Sequence, residues 1–422
     1  MKTSFFKSIL ILTIFSSNIF AQGEAALPFL NIPLSPNNIG IGGAGTALFS
    51  DNEFGFLMNP AIIGYQGKEN HIGLNIYPSK TNMGSLPGIK IFGSAFTIGY
   101  NFEEKTGVPI GLGFGFAYGN IDYDIAFNPN PIYLDQPDRD KYSTFSFGAM
   151  VDLGVEISTG FSVKRINSVL SSSPLSSIAA TFEGKITAYD FGLFVNVPIS
   201  ELLDLKSKIS KQNGFSVWPI SNISFGYSVL NVGDEIYYVD QAQSDPIPRT
   251  ERLGYGICLG LGSIIKNREY VLLGIDFTVD AENLLVETIN HWYDRFNADA
   301  IFPINANYES LFSEINIFDN LIGIKGNENV VVHSGFMINL IETVSILKGH
   351  FSGRNYGLIK SNGFIIQSNG AFKMLSSLTD NSTLKFILDN FNIKYSAANY
   401  LVDQPGETKF NSLSFSYSGS LF

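Results

Sequence analysis

The sequence predicts an all-β fold: a transmembrane antiparallel β-barrel of about fourteen strands, with an N-terminal segment folded back into its lumen. Three observations predict it. From Thr250 to Ser263 the residues alternate without a break, with Leu253, Tyr255, Ile257, Leu259 and Leu261 on one parity and Arg252, Gly254, Gly256, Cys258, Gly260 and Gly262 on the other. Successive side chains of a strand point to opposite faces, so this segment has one apolar face and one small, polar face. The pattern recurs in segments near the roughly 9–11 residues that a strand needs to cross a bilayer. The chain also opens on an export signal. Its composition is β-rich: among 422 residues there are 36 Phe, 19 Tyr and 41 Gly. Only 15% are charged, against roughly 25% in soluble domains.

Taken in order, residues 1–21 read as a secretory signal peptide. Lys2 and Lys7 precede the apolar run Ile9–Phe15, polar Ser16, Ser17 and Asn18 follow, and Ala21 supplies a small residue for cleavage before Gln22. No Cys follows that site, which argues against a lipid anchor. Beyond it no stretch approaches the ~20 apolar residues of a spanning helix. Export combined with strands points to an integral protein of a Gram-negative outer membrane. Residues 22–67 then form a hatch segment and 68–422 the barrel.

Alternation and turn residues place strands at His71–Tyr77, Ile89–Phe102, Val108–Tyr123, Tyr142–Asp152, Val155–Ser168, Phe182–Val197 and Ile220–Asn231. The second half places Thr250–Ser263, Glu269–Asp280, Val330–Leu340, Thr343–Ser352, Gly357–Gln367, Leu384–Ala398 and Lys409–Leu421. Antiparallel closure requires an even number. With both termini periplasmic, odd-numbered connections face outward and run longer. Asp124–Lys141, Val169–Thr181, Val232–Arg249 and Ala281–Asn329 fit, against tight links at Leu153–Gly154, Ile264–Arg268 and Ile341–Glu342. Pro198–Pro219 and Ser368–Thr383 are long links on the even side. In the last strand Leu413, Phe415 and Tyr417 oppose a serine parity, and terminal Phe422 falls out of phase, which predicts a terminal bulge or fraying.

The lumen parity of the third strand is Gly111, Gly113, Gly115, Ala117 and Gly119, a wall with space beside it, since glycine in a strand marks the approach of another backbone or a ligand. The hatch segment holds Gly40, Gly42, Gly43 and Gly45 and the turn Asn59-Pro60-Ala61. The expectation is that Gly42, Gly43 and Gly45 pack against Gly111, Gly113 and Gly115, while Asn59 and Pro60 return the chain to the first strand. Gly40, Gly42 and Gly45 also spell G-x-G-x-x-G, but no strand precedes them and no βαβ unit follows, so a dinucleotide loop is rejected.

The run PFLNIPLSPNNIGIGGAGTALFSDNEFGFLMNPA, from Pro28 to Ala61, resembles the N-terminal signature of the PorV/PorQ family of outer-membrane proteins, related to FadL-type barrels. Asn231 and Gly233 resemble its Asn-x-Gly loop, and Pro248, Arg252, Leu253 and Gly254 its lead into an Arg-Leu-Gly strand. Gly335–Gly349 resembles its late hairpin, with Lys348 and His350 where Arg and an aromatic are usual. The family's Trp-Pro-aromatic stretch is lacking; Tyr77-Pro78-Ser79 stands nearest. The resemblance implies a fourteen-stranded barrel with an internal hatch. It further implies a type IX secretion-related role, with secretion-system proteins or cargo C-terminal domains as partners. The alternative it carries is a FadL-like transporter of a hydrophobic ligand.

Chemistry beyond this is sparse. The four histidines, His71, His291, His333 and His350, have no metal spacing, and no G-x-S-x-G elbow offers a nucleophile, so the chain reads as a non-enzyme without metal or cofactor. A net charge of -11 and the lack of a basic stripe argue against nucleic acid and leave outer-membrane lipids as the general partner. The acidic loop residues Asp122, Asp124, Asp135, Asp138 and Asp140 read as solvated charge. The longest loop, Ala281–Asn329, carries Trp292, Tyr293, Phe296, Phe302, Tyr308 and Phe312 and reads as a cap.

Overall fold

The computed structural model describes residues 25–48, 52–84, 88–123, 138–171, 181–206, 216–239, 241, 244–266, 268–288, 306–311, 317–323, 326–354, 356–402 and 406–419. The signal peptide, much of the long loop and the out-of-phase Phe422 lie outside these residues.

Fourteen antiparallel strands close on themselves. They are β1 (His71–Ile76), β2 (Ile89–Asn101), β3 (Ile110–Tyr123), β4 (Asp138–Asp152), β5 (Glu156–Ser171), β6 (Thr181–Val197) and β7 (Ser216–Gly233). The second half is β8 (Thr250–Ile265), β9 (Arg268–Leu284), β10 (Val331–Leu340), β11 (Val344–Gly353), β12 (Tyr356–Gln367), β13 (Phe391–Tyr400) and β14 (Thr408–Ser418). Closure comes from β1, whose Leu74 pairs with Phe96 of β2 on one edge and with Phe415 of β14 on the other. Closing the ring leaves no sheet edge to be satisfied in lipid, where an unpaired backbone group has no water to bond.

The alternation seen in the sequence becomes two surfaces. Phe147, Phe191, Phe225, Leu259, Ile346 and Ile366 are each at least half exposed on the outer face, a continuous apolar band. The opposite parity is buried: Thr144, Ser146, Ser158, Ser162, Ser228, Thr278 and Ser414 all point inward. One bulge modifies the pattern. Leu261 pairs with Leu273 but Gly262 with Val271, so Leu272 is the extra residue, and Val271 turns inward beside Trp218. Plain alternation with Leu273, Ile275 and Phe277 would put Val271 on the lipid face, and the bulge reverses it.

The even rim differs most from the sequence reading. Leu384–Asn390 does not start the thirteenth strand. It belongs to a helix, α4 (Ser382–Asn390), preceded by α3 (Asn369–Ser376). Asn381 caps α4, its side chain accepting from Leu384 N at 3.0 Å, and Leu384, Ile387 and Leu388 fall at i, i+3 and i+4. Arg268 holds this hairpin through a bidentate pair with Asp389 at 2.5 and 2.9 Å, and Lys373 reaches Glu342 at 2.5 Å. The long link after β6 likewise begins with a short helix, Ile199–Leu202.

Candidate functional site: the lumen and its N-terminal segment

Residues 25–48 and 52–67 run between the inward faces of the strands, and the greater part of them is buried. The path starts with α1 (Pro36–Gly40), where Ser35 accepts from Asn38 N at 3.2 Å and Pro36 occupies the first turn, which lacks a donor requirement. Gly42 (φ 81°) and Gly43 (φ 79°) then reverse the chain. Asn38 Nδ2 donates to Ala44 O at 2.9 Å, and Asn52 Nδ2 bonds Ser35 Oγ at 2.6 Å and Asn38 Oδ1 at 2.8 Å, so the reversal is tied to its own helix.

From there the segment is fixed to the barrel by a charged network on one side and on the other mainly by close backbone packing, with Glu156 holding Tyr65 and Lys68 at the end of that contact. Gly45 N and Thr46 N both donate to Asp280 Oδ2, at 2.8 and 2.9 Å. Arg252 donates to Gly43 O at 2.8 Å and lies 3.6 Å from Asp280 and 3.4 Å from Glu282. His333 contacts Gly42 O through Nδ1 at 2.8 Å and Glu282 through Nε2 at 3.3 Å. Gly254 makes room for this group, since a Cβ there would collide with Asp280.

On the far side, Asn59 donates to Thr46 O at 2.8 Å and to Leu193 O at 3.0 Å, while Ala61 N donates to its Oδ1 at 3.0 Å. That arrangement starts α2 (Ala61–Gln66). Beneath α2 lies a row of glycines in register, Gly99, Gly113, Gly148, Gly160 and Gly192, one from each strand β2 to β6. A Cβ on any of them would meet the segment: Gln66 O at Gly99, Ile63 O at Gly113, Gly64 N at Gly148, Pro60 O at Gly160 and Asn59 Oδ1 at Gly192. Removing every side chain along one line of the wall lets a helix backbone lie directly on a sheet.

These contacts correct part of the expected arrangement. Gly111, Gly113 and Gly115 do meet the N-terminal segment, but at Gly67, Ile63 and Phe56. Gly42 instead sits against His350 and Ser334 and Gly43 against His333, on the opposite wall, while Gly45 packs on Asn38 of the segment's own helix and donates to Asp280 of that wall. Asn59 and Pro60 do not hand the chain straight to β1. They start α2, because Asn59 has its amide claimed by Thr46 and Leu193. The glycine row was open to partial recognition: each strand shows inward glycines, but only register puts one from each at the same height.

The remaining sequence-predicted residues gather at the odd rim. Asn231, in a left-handed conformation (φ 58°) at the irregularity between β6 and β7, donates to Asp190 at 2.7 Å and to Pro248 O at 2.9 Å and accepts from Lys164 at 2.5 Å. Arg249 donates to Gly233 O at 3.1 Å and lies over the Tyr308 ring at 3.9 Å. Tyr308 in turn donates to Asp234 O at 2.8 Å and accepts from Ile247 N at 2.9 Å. Burial pushes its phenol up to about 12. Leu253 faces outward, packed with Tyr255 against Ile317 and Leu321 of a loop helix. Trp292, Tyr293, Phe296, Phe302 and Phe312 lie outside the described residues.

Between the N-terminal segment and strands β8 to β13 a narrow cleft opens to solvent at this rim. Pro28, Pro33, Leu284, Val331, Phe351 and Tyr400 supply apolar surface; Arg252, Glu282, His333 and Arg354 supply the polar groups. Phe351 stacks on Tyr400 with centroids 5.8 Å apart and lies 5.3 Å from His333. Sequence reasoning named Gly42, Gly43, Pro248 and Arg252 of this lining but not Leu284, Val331, Phe351 or Tyr400, which come from four further strands.

No family model matches the chain, and no curated protein matches it. Among solved structures it is similar to the toluene transporter TbuX of Ralstonia pickettii, with a TM-score of 0.44 and 10% identity over 91% of this chain and 98% of that one. A FadL homologue of Pseudomonas aeruginosa gives 0.39 and 9% over 92% and 98%. The translocator domain of the Neisseria meningitidis autotransporter NalP gives 0.37 and 12% over 83% and 88%. None of these three is a PorV/PorQ protein, and none bears on type IX secretion.

Proposed function

We propose that the chain is a non-enzymatic outer-membrane conduit for a hydrophobic small molecule, captured in the cleft at the odd rim. The cleft carries the reading. A concave site lined by apolar and aromatic side chains, with a few converging polar groups, is the usual form of a small-molecule pocket. Its Phe351–Tyr400 stack offers a face to an apolar ligand, and Arg252, Arg354 and His333 beside Glu282 offer a place for one polar end. The apolar outer band supports a place in lipid. The buried N-terminal segment, acting as a hatch, supports selective passage over general diffusion.

Type IX cargo handling rests on the sequence resemblance alone, and the cleft gives it no added support. Binding of a fluorescent alkyl probe to the purified barrel tests the conduit. Phe351→Ala with Tyr400→Ala should weaken binding at least tenfold while the barrel stays folded. Unchanged affinity in the double variant removes the cleft from the mechanism. A deletion strain with normal uptake of apolar solutes but detached surface proteins would favour the secretion reading.

A further inference from the structure

The outer wall of β3 to β6 changes character over one step of the strand ladder. Phe116, Phe145, Val163 and Tyr189 form one outward row in register, the upper edge of the apolar band on this side. The next outward row toward the odd rim is Tyr118, Ser143, Arg165 and Thr187, and the one after it Asn120, Lys141, Asn167 and Lys185. A shallow open groove of about 390 Å³ lies over these two rows. Ser143 and Thr187, short side chains flanking Arg165, make its depth.

Three cations here are unexpected on a chain of net charge -11. Glu183 balances only one, lying 2.9 Å from Lys185 and accepting from Asn167 at 2.7 Å. Among the described residues, Lys141 and Arg165 have no carboxylate within ion-pair distance. A cation on the lipid face costs about 0–1 kcal/mol near the interface, far less than at the midplane, so these rows mark the headgroup level. With strands about 4.8 Å apart, Lys141 and Lys185 stand about 10 Å apart with Arg165 between and below them. That triangle suits phosphate oxygens, which arginine binds bidentately. The hydroxyl and amide groups of Tyr118, Ser143, Asn167 and Thr187 suit the hydroxyls of a sugar. The phenyl rings one row down suit acyl chains.

We infer that this groove binds the phosphorylated headgroup of a glycolipid in the leaflet at the odd rim, with Lys141, Arg165 and Lys185 on its phosphates and its chains along Phe116, Phe145 and Tyr189. The inference rests on the membrane placement proposed above and not on the conduit. The test uses the full-length barrel in nanodiscs containing diphosphoryl lipid A, its dephosphorylated form, or phosphatidylglycerol, with bound lipid counted by native mass spectrometry.

The wild-type protein should retain diphosphoryl lipid A over both others. K141Q/R165Q/K185Q should lose that preference, by about fivefold for each charge removed, the usual weight of a basic group at an anionic surface. R165K should keep most of it, and K348Q/K360Q, on the far wall, should keep all of it. R165Q alone, with a fold verified by heat-modifiable gel mobility, provides the same reading should the triple variant not assemble. Equal retention of phosphatidylglycerol overturns the glycolipid, and equal retention by the triple variant overturns the site. Recovery of the native chain outside the outer-membrane fraction overturns the placement itself.

Discussion

The two walls that grip the N-terminal segment do so by opposite means. The β2–β6 wall works chiefly by absence: its row of glycines takes a helix backbone at van der Waals distance, and charge enters only at the end of the helix, where Tyr65 and Lys68 reach Glu156. The β8–β11 wall uses Arg252, Asp280, Glu282 and His333, each bonded to a backbone group of the segment or to one another. Close packing has one geometry and resists any change in volume. A charged network has partners that can be exchanged for water or for a ligand. The cleft opens beside the charged wall, which is where a moving hatch would part.

The largest expected effect is on the whole segment. Deleting residues 25–64 while keeping the signal exposes both walls, and planar-bilayer recordings should show an open pore in place of a low-conductance barrel. A native protein already conducting like a general porin would refute the hatch.

Next comes the charged wall. Asp280→Ala leaves the buried N–H groups of Gly45 and Thr46 without an acceptor, while Arg252 keeps Glu282, and should cost about 1–3 kcal/mol for each unpaired donor in urea unfolding from lipid vesicles. Asp280→Asn, which keeps an acceptor, should recover part of it. The glycine wall should answer to volume instead. Gly148→Leu forces the side chain into Gly64 and should cost at least about 1–3 kcal/mol, whereas Gly274→Ala, whose added Cβ finds nothing nearer than Asn339 at 3.6 Å, should stay within about 0.5 kcal/mol. Similar losses for both glycines would erase the distinction. Outside both walls, Ile275→Arg near the middle of the band should cost about 2–4 kcal/mol, with no change in conductance. Arg249→Ala, which removes the hydrogen bond to Gly233 O as well as the stacking on Tyr308, should cost about 1–2 kcal/mol.

Much of the barrel was legible because period two is a local signal: Leu253 to Leu261 declare a face without reference to any partner. The strand count and the tight links after β4, β8 and β10 follow from the same alternation. What failed depends on contacts distant in sequence. Gly42 and Gly45 were assigned to the glycine wall by likeness of composition, but Asp280, more than 230 residues on, takes the Gly45 N–H. Leu384–Leu388 was read as a strand because its apolar run is dense. The Asn381 cap and the i, i+3, i+4 spacing were in the sequence and outweigh that run. The cleft was invisible, since its walls come from five strands whose neighbours in space only closure defines.

The order of the chain sets the order of assembly. The segment that ends enclosed precedes β1, yet the ring closes only when Leu74 finds Phe415. Threading a folded helix into a finished cylinder is thus unnecessary: α2 takes its seat on β2 to β6, five strands consecutive in the chain. The later strands then wrap around a cargo already in place. The seam that completes the wrap is held by six paired residues of β1, as is the joint of β1 with β2, the two shortest pairings in the ring.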